Sequence, residues 1–342
     1  MPGVKTADTL VSTHEPPGVA SDGSLTSLPE NTDMGLARAL LLKGSESRWL
    51  ADQLSRRRFI KRATARFMPG ETMEDALGAA RSLGESGVTA ILTLLGENVL
   101  DAEAAETVAG EYLTLLKQTV ETGLDADISV KPTHLGLDLG FDVAARNLQA
   151  LVARAAECGR LVAVDMESTS YCDPTLDLYR VLRAEHANVG ICLQSYLYRS
   201  RADLEDLLAL APMIRLVKGA YKEPAELAYP RKADVDASYL YLSQVLLEAA
   251  RDGTARVAFG THDADLITEI NRRAAKMECP RESYEFQMLF GIQRELQSRL
   301  AASGYRMRVL ISYGAYWFPW YMRRLAERPA NVGFVLRNML RG

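Results

Sequence analysis

The side chains of this sequence that could do chemistry stand at the ends of short apolar segments. Seven segments finish in charged or polar residues, namely Lys131 and His134, Asp165 and Glu167, Gln194, Arg215 and Lys218, Thr261, His262 and Asp263, Gln287, and Tyr313. The cations among them, joined by the pair Arg323–Arg324 near the C-terminus, outnumber the nearby acids. Because guanidinium groups form paired hydrogen bonds with carboxylates and phosphates, we expect a site for a small anionic ligand.

Other chemistry is open to the same residues. Two histidines and two acids of this set could bind a divalent metal, but the surrounding lysines and arginines oppose a cation, so no metal is predicted. Lys131 or Lys218 could form a Schiff base, as in barrel aldolases. The GxGxxG, P-loop, HExxH and GxSxG patterns do not occur, so any nucleotide cofactor must be held without a Rossmann unit. The residues alone indicate an enzyme for a carboxylated small molecule.

The elements that must position these residues alternate between strands and helices. Eight strand-length apolar runs occur, at residues 88–95, 127–134, 160–167, 188–195, 213–220, 256–263, 284–291 and 306–314. The segments between them have helical spacing, as in Ala144 to Cys158 and Leu176 to Glu185. Apolar strands alternating with helices predict a parallel α/β sheet, and eight units favour a closed (β/α)₈ TIM barrel over an open, doubly wound sheet. The strand ends of such a barrel converge on one face, which would gather the polar residues into one bowl.

Composition narrows the range of partners and compartments. Apolar residues make up 48% and charged residues 25%, which is the balance of a soluble globular protein. A net charge of -4 gives no reason to expect nucleic acid. The sequence has neither a membrane-spanning run nor a secretory signal, and its four cysteines are widely separated. We therefore expect reduced thiols and a cytoplasmic location.

Three regions are predicted along the chain. Residues 1–32 are rich in Pro, Gly, Ser, Thr and Asp and are expected to form a disordered leader. Residues 33–87 are predicted to form N-terminal helices that pack on the barrel, with a break at "PGET" (residues 69–72). Residues 88–342 are predicted to form the barrel itself.

Eight motifs, in order, resemble the catalytic domain of proline dehydrogenases. They are "RFMPGE", "KPTHLGLDL", "VAVDMES", "GICLQSYLYR", "IRLVKGAYKEP", "FGTHD", "YEFQMLFGI" and "YMRRLAERPAN", and they extend from about Arg66 to the C-terminus. The resemblance, which is to monofunctional bacterial members, implies a distorted (β/α)₈ barrel that binds FAD non-covalently. It also implies oxidation of L-proline to 1-pyrroline-5-carboxylate by hydride transfer to FAD, and a quinone as electron acceptor. A quinone acceptor would bring a possible peripheral contact with the inner face of the membrane.

The resemblance also implies roles for individual residues. Arg323 and Arg324 match the pair that clamps the substrate carboxylate, with Lys131 as a further cation on the substrate side. Asp165 and Arg215 match catalytic charged residues. Seven residues match flavin-contacting positions: Met166, Gln194, Lys218, Gly219, Ala220, Thr261 and His262. Glu327 matches an acid that holds the arginine helix in place.

Two positions depart from the family pattern. Leu310 and Trp320 stand where the family usually has tyrosines that shape the pocket for the proline ring. One interpretation is sequence drift with proline still accepted, and another is the same chemistry on a different carboxylated secondary amine. A Schiff-base aldolase and a non-catalytic binding barrel are the further alternatives. The sequence predicts no particular oligomeric state.

Overall fold

The computed structural model describes residues 66–317, which form a closed barrel of eight parallel strands. The strands are β1 (Thr89–Leu94), β2 (Ala126–Val130), β3 (Val162–Val164), β4 (Val189–Gln194), β5 (Met213–Val217), β6 (Arg256–Gly260), β7 (Tyr284–Leu289) and β8 (Arg306–Tyr313). Each strand pairs with the next in the sequence, and β8 pairs with β1 in the register Ile91 to Leu310. Closure leaves no sheet edge open. The predicted eight-stranded (β/α)₈ barrel is confirmed.

Helices surround the barrel and connect its strands. In the described residues they are α1 (Met73–Gly84), α2 (Ala102–Glu121), α3 (Phe141–Glu157), α4 (Cys172–Glu185), α5 (Ser200–Leu208), α6 (Lys232–Arg251), α7 (Ala264–Lys276) and α8 (Arg294–Ala302). The helix α1 begins at a capping box in which Thr72 and Asp75 each accept from the other's backbone N–H. Asp263 caps the start of helix α7, and its side chain accepts from the backbone N–H groups of Asp265 and Leu266. The leader and most of the N-terminal segment lie outside the described residues, and the division into three regions stays a prediction.

The main hydrophobic core lies between the strands and the helices. Alternate strand residues face outward, as Ala126, Ile128 and Val130 do in β2, and all three are fully buried. Side chains on both faces of each strand are covered, which explains why the strands are read as almost continuous apolar runs in the sequence. The outward residues are therefore committed to packing, and only the inward residues can carry chemistry.

The barrel interior contains a charged cluster near the start of the strands. The guanidinium of Arg308 donates to Glu285 at 3.1 Å and lies 3.0 Å from Asp127, and all three side chains are buried. Burial is the largest single effect on Glu285 and raises its pKa, but the charges of Arg308 and Arg256 and the hydrogen bond from Gln287 together hold that pKa below its ordinary value. At Asp127 burial prevails and the pKa is raised, although Arg308 partly offsets the effect. Arg308 is thus the nearest cation to both buried carboxyl groups, and Arg256 lies 3.7 Å from Glu285 and 4.0 Å from Asp127.

Replacing Arg308 by methionine is expected to destabilise the protein strongly, because the two buried carboxyl groups lose their nearest cation and keep the more distant Arg256. Breaking a buried ion pair in this way costs about 3–5 kcal/mol. Urea denaturation at pH 7 measures the change in the free energy of unfolding. The matched control is Arg306→Met on the same strand, since Arg306 is exposed and, within the described part of the chain, its side chain donates to the carbonyl of Glu282 at 3.2 Å and not to a buried acid. The control should cost less than about 1 kcal/mol, and equal losses in the two variants would contradict the prediction.

Candidate active site

The centre of the candidate site is the guanidinium of Arg215, which β5 directs into the barrel. The residue is only 4% exposed. Its Nη2 atom donates to the carboxylate of Asp165, directly after β3, and to Ser129 Oγ on β2 at 2.9 Å. Its Nη1 atom lies 3.4 Å from Gln287 Oε1 on β7. Four strands therefore converge on one buried cation, with an acid as its principal partner.

Gln194, at the end of β4, joins that strand to the end of β3. Its Nε2 atom donates to the carbonyls of Met166 at 2.6 Å and Glu167 at 3.0 Å. Glu167 in turn accepts from the backbone and side chain of Thr133, so it holds the loop after β2. The Oε1 atom of Gln194 is buried and has no hydrogen-bond partner within the described part of the chain. A buried acceptor without a donor is costly, and it fits a ligand that brings an N–H group.

The segment after β5 carries the predicted cofactor residues Lys218, Gly219 and Ala220. The ammonium of Lys218 lies 2.6 Å from Asp236 on α6 and 3.0 Å from Asp263 at the start of α7. Gly219 has φ +118, and a Cβ atom there would lie 2.1 Å from the ring of Tyr196. Only glycine fits at this position, and Ala220 beside it is exposed.

Thr261 and His262 follow β6 and are held by backbone groups. The Oγ1 atom of Thr261 accepts from the backbone N–H of Asp263 at 3.1 Å. The Nε2 atom of His262 accepts from the backbone N–H of Leu289 at 2.8 Å. An imidazole nitrogen that accepts an N–H carries no proton, so this contact fixes the ring's orientation at the end of β7.

Lys131 and Leu310 are the described residues for which the sequence predicts a substrate-side role. Lys131 Nζ lies 2.8 Å from the carboxylate of Glu97 in the loop after β1, and both side chains are about three-quarters buried. Leu310 faces the barrel interior beside the apolar group that includes Ile91 and Ala258. Glu97 was missed in the sequence, although it follows the first apolar run as the other polar residues follow theirs.

The predicted excess of cations was wrong for the described residues. Lys131 pairs with Glu97, Arg215 pairs with Asp165, and Lys218 lies between two aspartates. The balancing acids come partly from a loop and a helix, which an inspection of strand ends does not cover. The other predicted cations, Arg323 and Arg324, lie outside the described residues together with Trp320 and Glu327.

The placement of Tyr313 in the bowl was also wrong. Side chains alternate along β8, so Arg308, Leu310 and Ser312 face inward while Tyr313 faces outward. Tyr313 is buried in the core between the strands and the helices, and burial raises the pKa of its phenol. It therefore belongs to the packing of the barrel wall.

Comparison with known proteins decides the family. A family model described as proline dehydrogenase matches residues 76–337. The chain belongs to the proline dehydrogenase family. It is 39% identical over 276 residues to proline dehydrogenase 1 of Bacillus subtilis (strain 168), covering 81% of this chain and 90% of that relative. It is also 39% identical over 296 residues to proline dehydrogenase of Deinococcus radiodurans, covering 85% of this chain and 94% of the relative.

Solved structures of the same family agree with the barrel. The crystal structure of proline utilization A from Bdellovibrio bacteriovorus, inactivated by N-propargylglycine, superposes with a TM-score of 0.75 at 24% identity. The match covers 86% of this chain but 36% of that larger protein, so it shows the fold alone.

The predicted family and the enzyme class, oxidoreductase, are confirmed, whereas the roles of single residues stay predictions. Between residues 66 and 317, no helix is both long and apolar enough to cross a membrane.

His134 lies next to the site but cannot serve as a charged group near neutral pH. It is buried in the turn after β2, against Gly96, where a Cβ atom would lie 2.1 Å from its Nε2 atom. Burial, with a contribution from the charge of Lys131, lowers the pKa of His134 to about 4. The imidazole is therefore neutral in the folded protein above that pH.

The free energy of unfolding should fall as the pH is lowered from 6.5 towards 4. In this window the unfolded chain binds a proton at His134 that the folded protein does not bind, so acid favours the unfolded state. The contribution of this one residue amounts to about 2–3 kcal/mol. Urea denaturation across the window, compared between wild type and His134→Gln, isolates it. Identical pH profiles for the two proteins would contradict the assignment.

Proposed function

We propose that this protein oxidises L-proline to 1-pyrroline-5-carboxylate with FAD as its cofactor and passes the electrons to a quinone. The observation that carries the proposal is the ion pair of the buried Arg215 with the half-buried Asp165 at the strand ends of a barrel of this family. A fixed cation inside a water-poor bowl is suited to stabilising charge that develops during a reaction. Relatives that are 39% identical are named proline dehydrogenases, which supports proline as the substrate.

The residues at the bowl fit a flavin. Gln194 offers a buried acceptor that has no partner among residues 66–317, as an N–H group of an isoalloxazine ring requires. Gly219 lets the backbone come close to a ligand at a position where a side chain would collide with Tyr196. The residues proposed to hold FAD are Met166, Gln194, Lys218, Gly219, Ala220, Thr261 and His262. When bound, FAD supplies the atom that accepts the hydride.

The reaction divides into a hydride and a proton. The ring carbon beside nitrogen, on the side away from the carboxylate, loses a hydride, and the nitrogen loses a proton, which leaves the C=N bond of the product. Arg215 and Lys218 are proposed to stabilise the negative charge that the hydride delivers. Lys131, with Arg323 and Arg324, is proposed to hold the substrate carboxylate, which orients the reacting carbon. Asp165 is proposed to keep the guanidinium of Arg215 in place.

The contacts of the two lysines favour this reading over a Schiff-base aldolase. The ammonium groups of Lys131 and Lys218 are both held by carboxylates, 2.8 Å from Glu97 and 2.6 Å from Asp236 respectively. Such ion pairs suit electrostatic stabilisation, whereas Schiff-base formation needs an uncharged amine that is free to attack a carbonyl.

A quinone acceptor would be consistent with a cytoplasmic protein that contacts the inner face of the membrane only peripherally.

Anaerobic titration of the FAD-loaded protein with L-proline tests the proposed function. The flavin absorbance should bleach with L-proline, because hydride transfer reduces the cofactor, and a soluble quinone analogue should restore it. D-Proline is the matched control, since its carboxylate cannot meet the same cations with the reacting carbon in the same place. Protein that cannot be loaded with FAD, or that L-proline leaves fully oxidised, would contradict the proposal.

Leu310→Tyr should sharpen the preference for the five-membered ring. Leu310 faces the barrel interior and is half-buried. A tyrosine side chain at this position is therefore expected to extend the wall of the proposed substrate pocket. The ratio of kcat/KM for the six-membered homologue to that for proline should fall by about tenfold, the usual scale for one methylene. Leu310→Phe is the control for added bulk without the hydroxyl. An unchanged ratio in both variants would show that Leu310 does not line the substrate pocket.

A further inference from the structure

Gln287 lies between two charged side chains inside the barrel. Its Nε2 atom is 2.6 Å from Glu285 Oε1, and its Oε1 atom is 3.4 Å from Arg215 Nη1. Glu285 and Gln287 are two residues apart on β7, so both side chains face inward. Each is only 3% exposed. The amide of Gln287 therefore connects the charged cluster at the start of the strands with the candidate active site at their ends.

The neighbours of Gln287 allow its amide only one orientation. An ionised carboxylate only accepts hydrogen bonds, and a guanidinium only donates them. The glutamine amide must therefore turn its NH₂ group to Glu285 and its oxygen to Arg215. The reverse orientation would set donor against donor and acceptor against acceptor in a buried place, at the full cost of unpaired polar groups.

Glu285 is kept ionised by two neighbouring arginines. Arg308 donates to Glu285 Oε1 at 3.1 Å, and Arg256 lies 3.7 Å from Oε2. These charges hold the pKa of Glu285 below its ordinary value in spite of its burial. The carboxylate that orients Gln287 therefore persists at neutral pH.

Arg215 has unequal support on its two terminal nitrogens. The Nη2 atom donates to both Asp165 and Ser129, whereas Gln287 holds the Nη1 atom. The thiol of Cys192 on β4 also interacts with the guanidinium, but a thiol is a weak hydrogen-bonding group. Without Gln287, the plane of the guanidinium can therefore swing about Nη2. A contact on Nη1 sets the plane, and the plane decides in which direction the remaining N–H groups point.

We propose that Gln287 is a positioning residue that fixes the guanidinium of Arg215 towards the flavin, and that Glu285 in turn orients Gln287. The inference rests on the proposed function, because the group on which Arg215 acts is the cofactor. Gln287 touches neither substrate nor cofactor in this scheme and acts only through Arg215. None of the catalytic or binding roles inferred from the sequence falls on Gln287 or Glu285.

Gln287→Met, which keeps the length of the side chain and removes its hydrogen bonds, tests the proposal. In crystals of the variant the Arg215 guanidinium should turn away from its wild-type plane, with or without FAD. In the FAD-loaded protein the flavin midpoint potential should become more negative, because the charge of reduced flavin loses a directed cation. Flavin reduction by L-proline should slow by about tenfold to a hundredfold. Glu285→Gln, which frees the amide to flip, should move all three readouts in the same direction and stands in if the methionine variant does not fold.

Gln297→Met is the matched control, because Gln297 is equally buried but bonds only the carbonyls of Leu289 and Ile292. It should lower stability without moving the potential or Arg215. In an Arg215→Met background, Gln287→Met should slow flavin reduction no further, since its effect passes through the guanidinium. An unchanged Arg215 plane and potential in both Gln287→Met and Glu285→Gln would overturn the inference. Wild-type protein that binds FAD but resists proline would defeat the proposed function alone, because the potential still reports on Gln287.

Discussion

The arrangement of the polar side chains in the site depends on the burial of the Arg215 guanidinium inside a closed barrel. A charge with so little access to water needs acceptors nearby, and the barrel's own strands must supply them. Ser129 and Gln287 are separated from Arg215 by 86 and 72 residues in the sequence. Only closure of the sheet brings these strands face to face across the interior. The contacts of Arg215 therefore depend on the fold, and the proposed function depends on those contacts.

The interior holds charge at two levels along the strands. Near their start, Arg308 pairs with Glu285 and Asp127, with Arg256 beside them, and at their ends Arg215 pairs with Asp165. An apolar group that includes Ile91 and Met213 fills the barrel interior beside these charges. Low-dielectric surroundings strengthen each ion pair and make each missing partner costly. Such an interior specifies the orientation of its polar groups far more tightly than a purely apolar core would.

The eight strands and several residues at their ends could be predicted from the sequence. Strands covered on both faces appear as apolar runs, so all eight were found, and polar residues at their ends marked Arg215 and Lys218. Tyr313 was misplaced because the alternation along β8 sends its side chain outward. Glu97 and Asp236 were missed because a loop and a helix carry them to the lysines. Contacts across the barrel, such as that of Gln287, depend on the register of distant strands, which local patterns do not encode.

Leu310 and Arg215 are held by different contacts, which matters for how the substrate preference of such an enzyme could change. Leu310 packs beside apolar side chains, and its carbonyl accepts from the backbone of Phe290 at 2.9 Å. The side-chain hydrogen bonds of Arg215 come instead from β2, the end of β3 and β7. Side-chain changes at position 310 therefore leave the ionic network around Arg215 intact, since none of its hydrogen bonds depends on that side chain. A change at this proposed pocket wall therefore removes no hydrogen-bond partner of Arg215, although the same strand β8 carries Arg308, which supports Glu285 and through it Gln287.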